Sequence, residues 1–126
     1  MAEHVNVPGL ARLPAFSHAT VAGDTIYVAG TIGTTDEHFS MAPGGVGPET
    51  TQTLRNIEQI LEACGLGWAG VVKVNVFLAD LSTFAEMNEA YETVVPEPRP
   101  ARITVGGNDI ALGASVEMDC IAHRGS

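Results

Sequence analysis

The sequence is poor in basic residues and has no long apolar run. Six Lys and Arg residues stand against fifteen Asp and Glu, which gives a formal charge of −9 over 126 residues. The basic residues are scattered rather than clustered, so a nucleic-acid partner is disfavoured, because phosphate backbones are bound by concentrated positive charge. No apolar segment approaches the ~18 residues that span a bilayer, and no basic region followed by an apolar stretch begins the chain. We therefore expect a cytoplasmic protein with no membrane partner.

Signatures of metal, nucleotide and covalent catalysis are also missing. The four histidines are spread over different predicted elements, and neither a C-x-x-C nor an H-x-E pattern occurs. There is no Walker loop and no G-x-G-x-x-G turn. Lys73 is the single lysine, and no neighbour in the sequence suits it for Schiff-base chemistry. We expect no cofactor and no metal, and the histidine and cysteine signature of zinc-dependent enzymes is among the patterns that are absent.

Length and composition suit one domain over residues 1–126. The hydrophobic content of 45% is enough for a compact core. Both cysteines, Cys64 and Cys120, fall at apolar positions of a predicted helix and a predicted strand. Free buried thiols are therefore expected rather than a disulfide.

Hydrophobic periodicity predicts strands and helices in the order β-β-α-β-α-β-β. The first half contains an extended lead-in over 1–16, a hairpin over 17–30 with Gly23-Asp24 at its turn, a loop over 31–48 and a helix over 49–64. The second half contains a strand over 71–78, a second helix, and strands over 100–105 and 114–122. The second helix is capped by Asp80 or Ser82 and ended by Pro96. This order predicts a two-layer α+β domain with two helices on one face of a mainly antiparallel sheet.

The last two strands predict a second hairpin, with the link 106–113 carrying glycines at both ends. If Gly106 pairs with Gly113, Arg102 lies opposite Glu117 on a polar face, while Ile103 and Val105 point into the core. An arginine opposite a glutamate is an ordinary cross-strand ion pair. Arginine also grips carboxylates through two hydrogen bonds, and a nearby glutamate can activate water. Spacing alone leaves both interpretations open.

The sheet face away from the helices carries a mixed set of residues. It includes Phe77, Ile121 and Glu117, and by the predicted register Arg102. This set is too apolar for water and too polar for a core. We expect a symmetric oligomer to bury it.

Short motifs in chain order resemble the Rid family of reactive-intermediate deaminases, also known as the YjgF type. The motifs are Phe16-Ser17-His18-Ala19, Ala22-Gly23-Asp24, Val28-Ala29-Gly30, Thr53-Leu54-Arg55-Asn56-Ile57, Met87-Asn88-Glu89-Ala90-Tyr91, Pro100-Ala101-Arg102 and Val116-Glu117-Met118-Asp119. The resemblance, closest to RidA-like members, extends over nearly the whole chain.

The resemblance implies a fold like that of trimeric chorismate mutase, assembled as a homotrimer with clefts between subunits. It implies cofactor-free hydrolysis of small enamine or imine acids, such as 2-aminoacrylate, to a 2-keto acid and ammonia. Arg102 would bind the substrate carboxylate and Glu117 would hold the attacking water across a gap. Gly30 and Thr104 would line the cleft.

By the same resemblance, Asn88 and Phe16 would shape the cleft, although Asn88 is equally explained as a helix-surface residue in a structural hydrogen bond. Phe16, Thr31 and Thr104 stand where the family often has Tyr, Gln and Cys. These departures bear on substrate preference more than on the type of reaction. Other hypotheses are a 2-aminomuconate-type catabolic deaminase and a non-catalytic trimer that binds small carboxylates. Ribonuclease activity ranks last because of the acidic composition.

Overall fold

The structure is a computed structural model that describes residues 2–125. Its strands and helices are, in chain order, β1 (Glu3–Val5), β2 (Ala19–Ala22), β3 (Thr25–Thr31), α1 (Val46–Ala63), β4 (Val71–Leu78), α2 (Phe84–Val94), β5 (Ala101–Val105) and β6 (Val116–His123). Short 3-10 turns cover Trp68–Gly70, Leu81–Thr83 and Ala111–Gly113. No helix within residues 2–125 has the length and apolar character needed to cross a membrane.

The six strands form one sheet in the order β1-β2-β3-β6-β4-β5, and the two helices cover one of its faces. All strand pairs are antiparallel except β4 with β5. The apolar stripe of α1, including Leu54, Ile57 and Ile60, packs with strand residues such as Val76 and Met118, and all are almost fully buried. The predicted two-layer α+β architecture is confirmed.

Several local predictions hold with shifted boundaries. The β2–β3 hairpin turns at Gly23, whose φ of 61° suits glycine. Helix α1 begins at Val46 rather than at residue 49. The Asp80 side chain accepts a hydrogen bond from the Ser82 N–H at 2.9 Å and so caps the turn that leads into α2. Strand β1, which was not predicted, pairs residues 3–5 with β2 at the edge of the sheet.

A β-bulge changes the first residues of β4. Val71 pairs with Ala122 but Lys73 pairs with Ile121, so Val72 has no partner of its own. Val72 is consequently 52% exposed, whereas Val71 is buried. Strict alternation over 71–78 would place Val72 on the buried face with Val74 and Val76, but the inserted residue breaks that alternation.

The predicted hairpin between the last two strands is also wrong. Strand β4 lies between β5 and β6, pairing in parallel with β5 and antiparallel with β6. Helix α2 supplies the crossover that parallel neighbours need. The link over 106–113 crosses the end of β4, where Asn108 donates from its side chain to the Leu78 carbonyl at 3.0 Å. A hydrophobic pattern identifies a strand but does not name its partner.

The true register reverses the predicted faces of β5. Arg102 and Thr104 pair with Val74 and Val76, which point toward the helices. Ile103 is 51% exposed. Ile103 and Val105 therefore lie on the sheet face that points away from the helices, here called the open face, and not in the predicted core. In β6, by contrast, Val116, Met118 and Cys120 are buried. Both cysteines are free and buried, as expected.

Candidate active site

Glu117 lies on the open face of β6, beside the point where β3 leaves the sheet. The register between β3 and β6 shifts between Val28 and Thr31, which brings Gly30 against the Glu117 side chain. A Cβ built on Gly30 would overlap the carboxylate oxygen Oε2 and would lie 3.3 Å from Cδ. Glycine at position 30 therefore leaves the space in which the Glu117 carboxylate sits.

The surroundings of Glu117 make its carboxylate more basic than usual. Partial burial is the main cause of its raised pKa, and the negative charge of Asp119 raises it further. Asp119 itself accepts a hydrogen bond from the Asn75 side chain at 2.7 Å. No hydrogen bond from residues 2–125 offsets the raised pKa of Glu117. Its carboxylate is thus available to accept a proton from a bound water.

Glu117 and Gly30 form part of the wall of a cavity of about 370 Å³. Most of the wall is apolar, with side chains from four regions of the chain: Leu10, Leu13, Phe16, Ile32, Phe39 and Ile60. Of the residues predicted for the site, the structure therefore brings together Phe16, Gly30 and Glu117. Cavities of this size and composition are typical of small-molecule sites.

Arg102 lies elsewhere, on the helix side of edge strand β5. Its guanidinium carbon is 4.7 Å from the centre of the Tyr91 ring and 5.6 Å from that of Phe84, both on α2. The ion pairs found among residues 2–125 do not include it. Two aromatic rings thus hold a half-buried guanidinium through cation–π contact while its N–H groups remain available for an anion.

The other two predicted site residues lie near Arg102 rather than near Glu117. Thr104 follows on the same face of β5, and its hydroxyl is buried without a hydrogen-bond partner among the described residues. Asn88 follows Phe84 by one turn of α2 and donates to the Glu92 carboxylate at 2.9 Å. That bond is the structural role already considered for Asn88, and its contact with a substrate stays a prediction.

Within one chain, then, the predicted site is divided between the two faces of the sheet. Glu117 pairs with Phe77, which faces away from the helices, whereas Arg102 pairs with Val74, which faces them. The prediction that Arg102 and Glu117 share a face is therefore wrong. The carboxylate half comprises Phe16, Gly30 and Glu117, and the guanidinium half comprises Arg102, Thr104 and Asn88.

Sequence reasoning missed several residues that build the cavity. Asn56, on α1, donates to the carbonyl groups of Ile32 and Thr34 at 3.0 and 2.9 Å and so fixes the segment after β3. His18 accepts from the Val7 N–H at 2.9 Å and contacts the Ala11 carbonyl at 2.9 Å, which places its ring proton on Nε2. Both residues lie in motifs of the resemblance, but nothing in their spacing revealed that they line a cavity.

A family model described as endoribonuclease L-PSP matches residues 9–124. The chain belongs to this L-PSP family, which is also called the YjgF or Rid family. It is similar to the rat protein named 2-iminobutanoate/2-iminopropanoate deaminase, with 37% identity over 91% of this chain and 84% of the rat protein. The predicted membership of the Rid family is confirmed.

Solved structures of L-PSP family proteins agree with the fold described above. RidA from the Antarctic bacterium Psychrobacter sp. superimposes with a TM-score of 0.85 at 35% identity, covering 91% of this chain and 93% of that one. A putative endoribonuclease from Thermotoga maritima superimposes with a TM-score of 0.93 at 29% identity over the full length of both chains. The arrangement of six strands and two helices is therefore that of the family.

Proposed function

We propose that this protein is a cofactor-free hydrolytic deaminase, which converts small enamine or imine acids to 2-keto acids and ammonia. The observation that carries the proposal is the Glu117 carboxylate, basic and open to water, in an apolar cavity beside Gly30. The available guanidinium of Arg102 supplies the second requirement, a group that binds a carboxylate. The deaminase name of the rat relative supports the same reaction.

The complete site is formed between two copies of the chain, with Arg102 from one and Glu117 from the other. Their positions on opposite faces of one sheet support this arrangement. The open face also exposes Tyr27 and Ile103 by 48% and 51%, which is costly for large apolar side chains in a monomer. A homotrimer that buries this face and joins the two halves satisfies both observations.

In this site Arg102 binds the substrate carboxylate through two parallel hydrogen bonds, held in place by the rings of Tyr91 and Phe84. Glu117 accepts a proton from a water as the water oxygen attacks the carbon of the C=N bond. Glu117 returns that proton to the nitrogen, which gives a tetrahedral carbinolamine with an OH and an NH2 group on the same carbon. It then transfers the hydroxyl proton to the nitrogen as the C–N bond breaks, so that ammonia leaves and the carbonyl forms. No electrons are gained or lost, so no redox partner is needed.

The remaining residues of the proposal contact the substrate rather than the reacting proton. Gly30 and Thr104 line the gap between the two copies, and Phe16 and Asn88 bound it. Imines are already electrophilic, so orientation of substrate and water is sufficient for the modest acceleration that the reaction requires. In this proposal residues 1–126 form one domain, and the protein acts in the cytoplasm.

Mixing two inactive variants tests the proposal. Arg102→Ala and Glu117→Gln are each expected to abolish keto-acid release from enzymatically generated 2-aminoacrylate. When the two are unfolded together and reassembled in equal amounts, a site is intact where an unaltered Arg102 meets an unaltered Glu117 from the neighbouring chain. Random assembly in a closed ring gives about one quarter of wild-type activity per chain.

The other outcomes separate the competing hypotheses. A mixture as inactive as its components would place both residues in one chain and refute the shared site, and an unchanged rate in Arg102→Ala would refute the role of the arginine. Calorimetric binding of 2-keto acids without turnover of any imine would indicate a carboxylate-binding trimer instead. Faster turnover of 2-aminomuconate than of other imine acids would favour the catabolic deaminase.

A further inference from the structure

Two large apolar residues of the cavity wall have an unfavourable backbone conformation. Phe39 and Leu112 have φ angles of 64° and 60°, and no other non-glycine residue within 2–125 has a positive φ. Both line the cavity that contains Glu117. The left-handed region is strained for bulky side chains, and such strain concentrates at sites of function.

The two residues reach the cavity from separate loops, each fixed by its own hydrogen bonds. Beside Phe39, the Asp36 carboxylate accepts from the N–H groups of His38 and Ser40 at 2.8 and 3.1 Å. Leu112 is the middle residue of the 3-10 turn Ala111–Gly113. The wall of one cavity therefore contains two residues with strained backbone conformations, although asparagine or glycine would relieve the strain at either position.

Burial in the monomer does not account for Leu112. Its side chain is 62% exposed, the highest fraction among the exposed large apolar residues of the described chain. A strained and exposed leucine is unfavourable on both counts unless something covers it. The cavity that it borders leads to Glu117, so a molecule bound for reaction there would contact it.

Apart from Glu117, the polar side chains of the cavity wall already have partners within the chain. His18 bonds two backbone groups of the N-terminal segment, Asn56 donates to two carbonyl groups after β3, and Thr31 donates to a backbone carbonyl at 2.8 Å. The rest of the wall offers hydrocarbon surface. A substrate side chain entering here gains from apolar contact and finds little to compensate a polar group.

We propose that Phe39 and Leu112 determine specificity by forming a subsite for the substrate's side chain, and that the preferred substrates are imino acids with bulky apolar side chains. This inference rests on the deaminase function proposed above. The imine of a leucine-like or phenylalanine-like amino acid uses the apolar wall of the 370 Å³ cavity. 2-Aminoacrylate, whose side chain is a lone methylene, leaves most of that wall uncovered.

The test measures kcat/KM for imines generated in the assay by an amino-acid oxidase from leucine, phenylalanine, alanine and glutamine. For the wild-type trimer we expect the leucine- and phenylalanine-derived imines to exceed the alanine-derived imine by about tenfold or more, which is the usual effect of added methylene groups in an apolar pocket. The glutamine-derived imine should rank with the alanine-derived one despite its size.

Asparagine at position 112 separates a specificity role from a structural one. Leu112→Asn keeps similar size and favours the left-handed backbone, so a purely structural leucine is replaced without loss of stability. We expect the leucine-to-alanine ratio of kcat/KM to fall roughly tenfold in this variant, with Leu112→Met restoring it and Phe39→Asn acting as Leu112→Asn does. Leu81→Ala is the matched control, because Leu81 is 54% exposed but lies outside the cavity wall.

Two results would overturn the inference. Equal kcat/KM for the leucine- and alanine-derived imines in the wild-type protein would refute the subsite while leaving the deaminase function intact. An unchanged ratio in Leu112→Asn and Phe39→Asn would refute the two residues as its determinants. Absence of turnover with every imine would refute the proposed function and this inference together.

Discussion

The contact between Gly30 and Glu117 gives the sharpest test of the site. In Gly30→Ala the new methyl group overlaps Oε2 of Glu117 and lies 3.3 Å from Cδ. The neighbouring atom is the end of a flexible side chain, so the carboxylate moves and the fold remains. Its displacement must be about 1 Å to reach ordinary contact, and a shift of this size near the reacting atoms costs on the order of 100-fold in rate.

Protein stability should hardly change in the same variant. Gly30 is not among the residues with positive φ, so alanine meets no backbone strain there. Replacing glycine by alanine at such a position typically stabilises by about 0.4–1 kcal/mol through the unfolded chain, which offsets part of the cost of moving Glu117. We therefore expect a denaturation midpoint close to wild type together with a large loss of kcat/KM.

The assay combines steady-state deamination with urea unfolding, and the chain offers two controls. Gly67→Ala adds the same methyl group where no atom lies within 4 Å, so it should leave kcat/KM unchanged and should raise stability by about 0.4–1 kcal/mol. Glu117→Asp shortens the acid by one methylene and makes room, so Gly30→Ala added to it should cost little further activity. Wild-type kcat/KM in Gly30→Ala would refute the reasoning, and so would an equal loss when Gly30→Ala is added to the wild-type protein and to the Glu117→Asp variant.

Four further predictions concern charge, packing and reactivity. Burial raises the pKa of Glu117, so kcat/KM should fall as the pH drops through that raised pKa. The native state binds the proton of Glu117 more tightly than the unfolded state does, so wild-type stability is lost as the pH rises through the raised pKa. Glu117→Gln should be inactive, and above that pKa it should be more stable than wild type in urea unfolding. A wild-type curve that gains stability relative to Glu117→Gln in this range would contradict the assignment. Asn56→Ala should lower the free energy of unfolding by about 1–3 kcal/mol, because a buried and a part-buried carbonyl group lose their donor. A loss below the error of urea titration would show that the segment after β3 does not depend on these two hydrogen bonds. Phe84→Leu should raise KM more than it lowers kcat, because it removes one of the two rings that hold Arg102, and Phe84→Tyr should restore KM. Equal effects of Phe84→Leu on KM and kcat would refute the positioning role of this ring. Burial raises the pKa of Cys120 to about 12, so it should resist iodoacetamide at about pH 8 until the protein unfolds, and rapid labelling of the native protein would contradict its burial.

Much of the fold could be predicted because helices and tight hairpins are specified locally. The stripe of α1 and the Gly23 turn depend on residues close in sequence. The position of β5 depends instead on the crossover through α2 and on the insertion of β6 between β3 and β4. Alternation over 101–105 is compatible with either phase, so a wrong partner reversed every side chain of the strand.

The sequence identified candidate site residues, but it did not predict how the folded chain arranges them. Resemblance to a family identified Arg102 and Glu117, yet it carried no information about which sheet face each occupies. Phe39 and Leu112 left no signal, because a left-handed backbone at phenylalanine or leucine has no signature in composition or spacing. Strain of this kind is visible only in the folded chain.

Division of the site between two sheet faces has a consequence for how activity depends on protein concentration. A folded single chain holds a guanidinium on one side and a carboxylate on the other, so under the proposed shared site folding alone would not create a catalyst. Dilution below the dissociation constant of the assembly should abolish turnover even while every chain remains native. A 2-keto acid that bridges the two copies would bind only the assembled form, and by mass action it would hold the assembly together. The ligand of the site would thus also act as a subunit cross-linker without forming a bond.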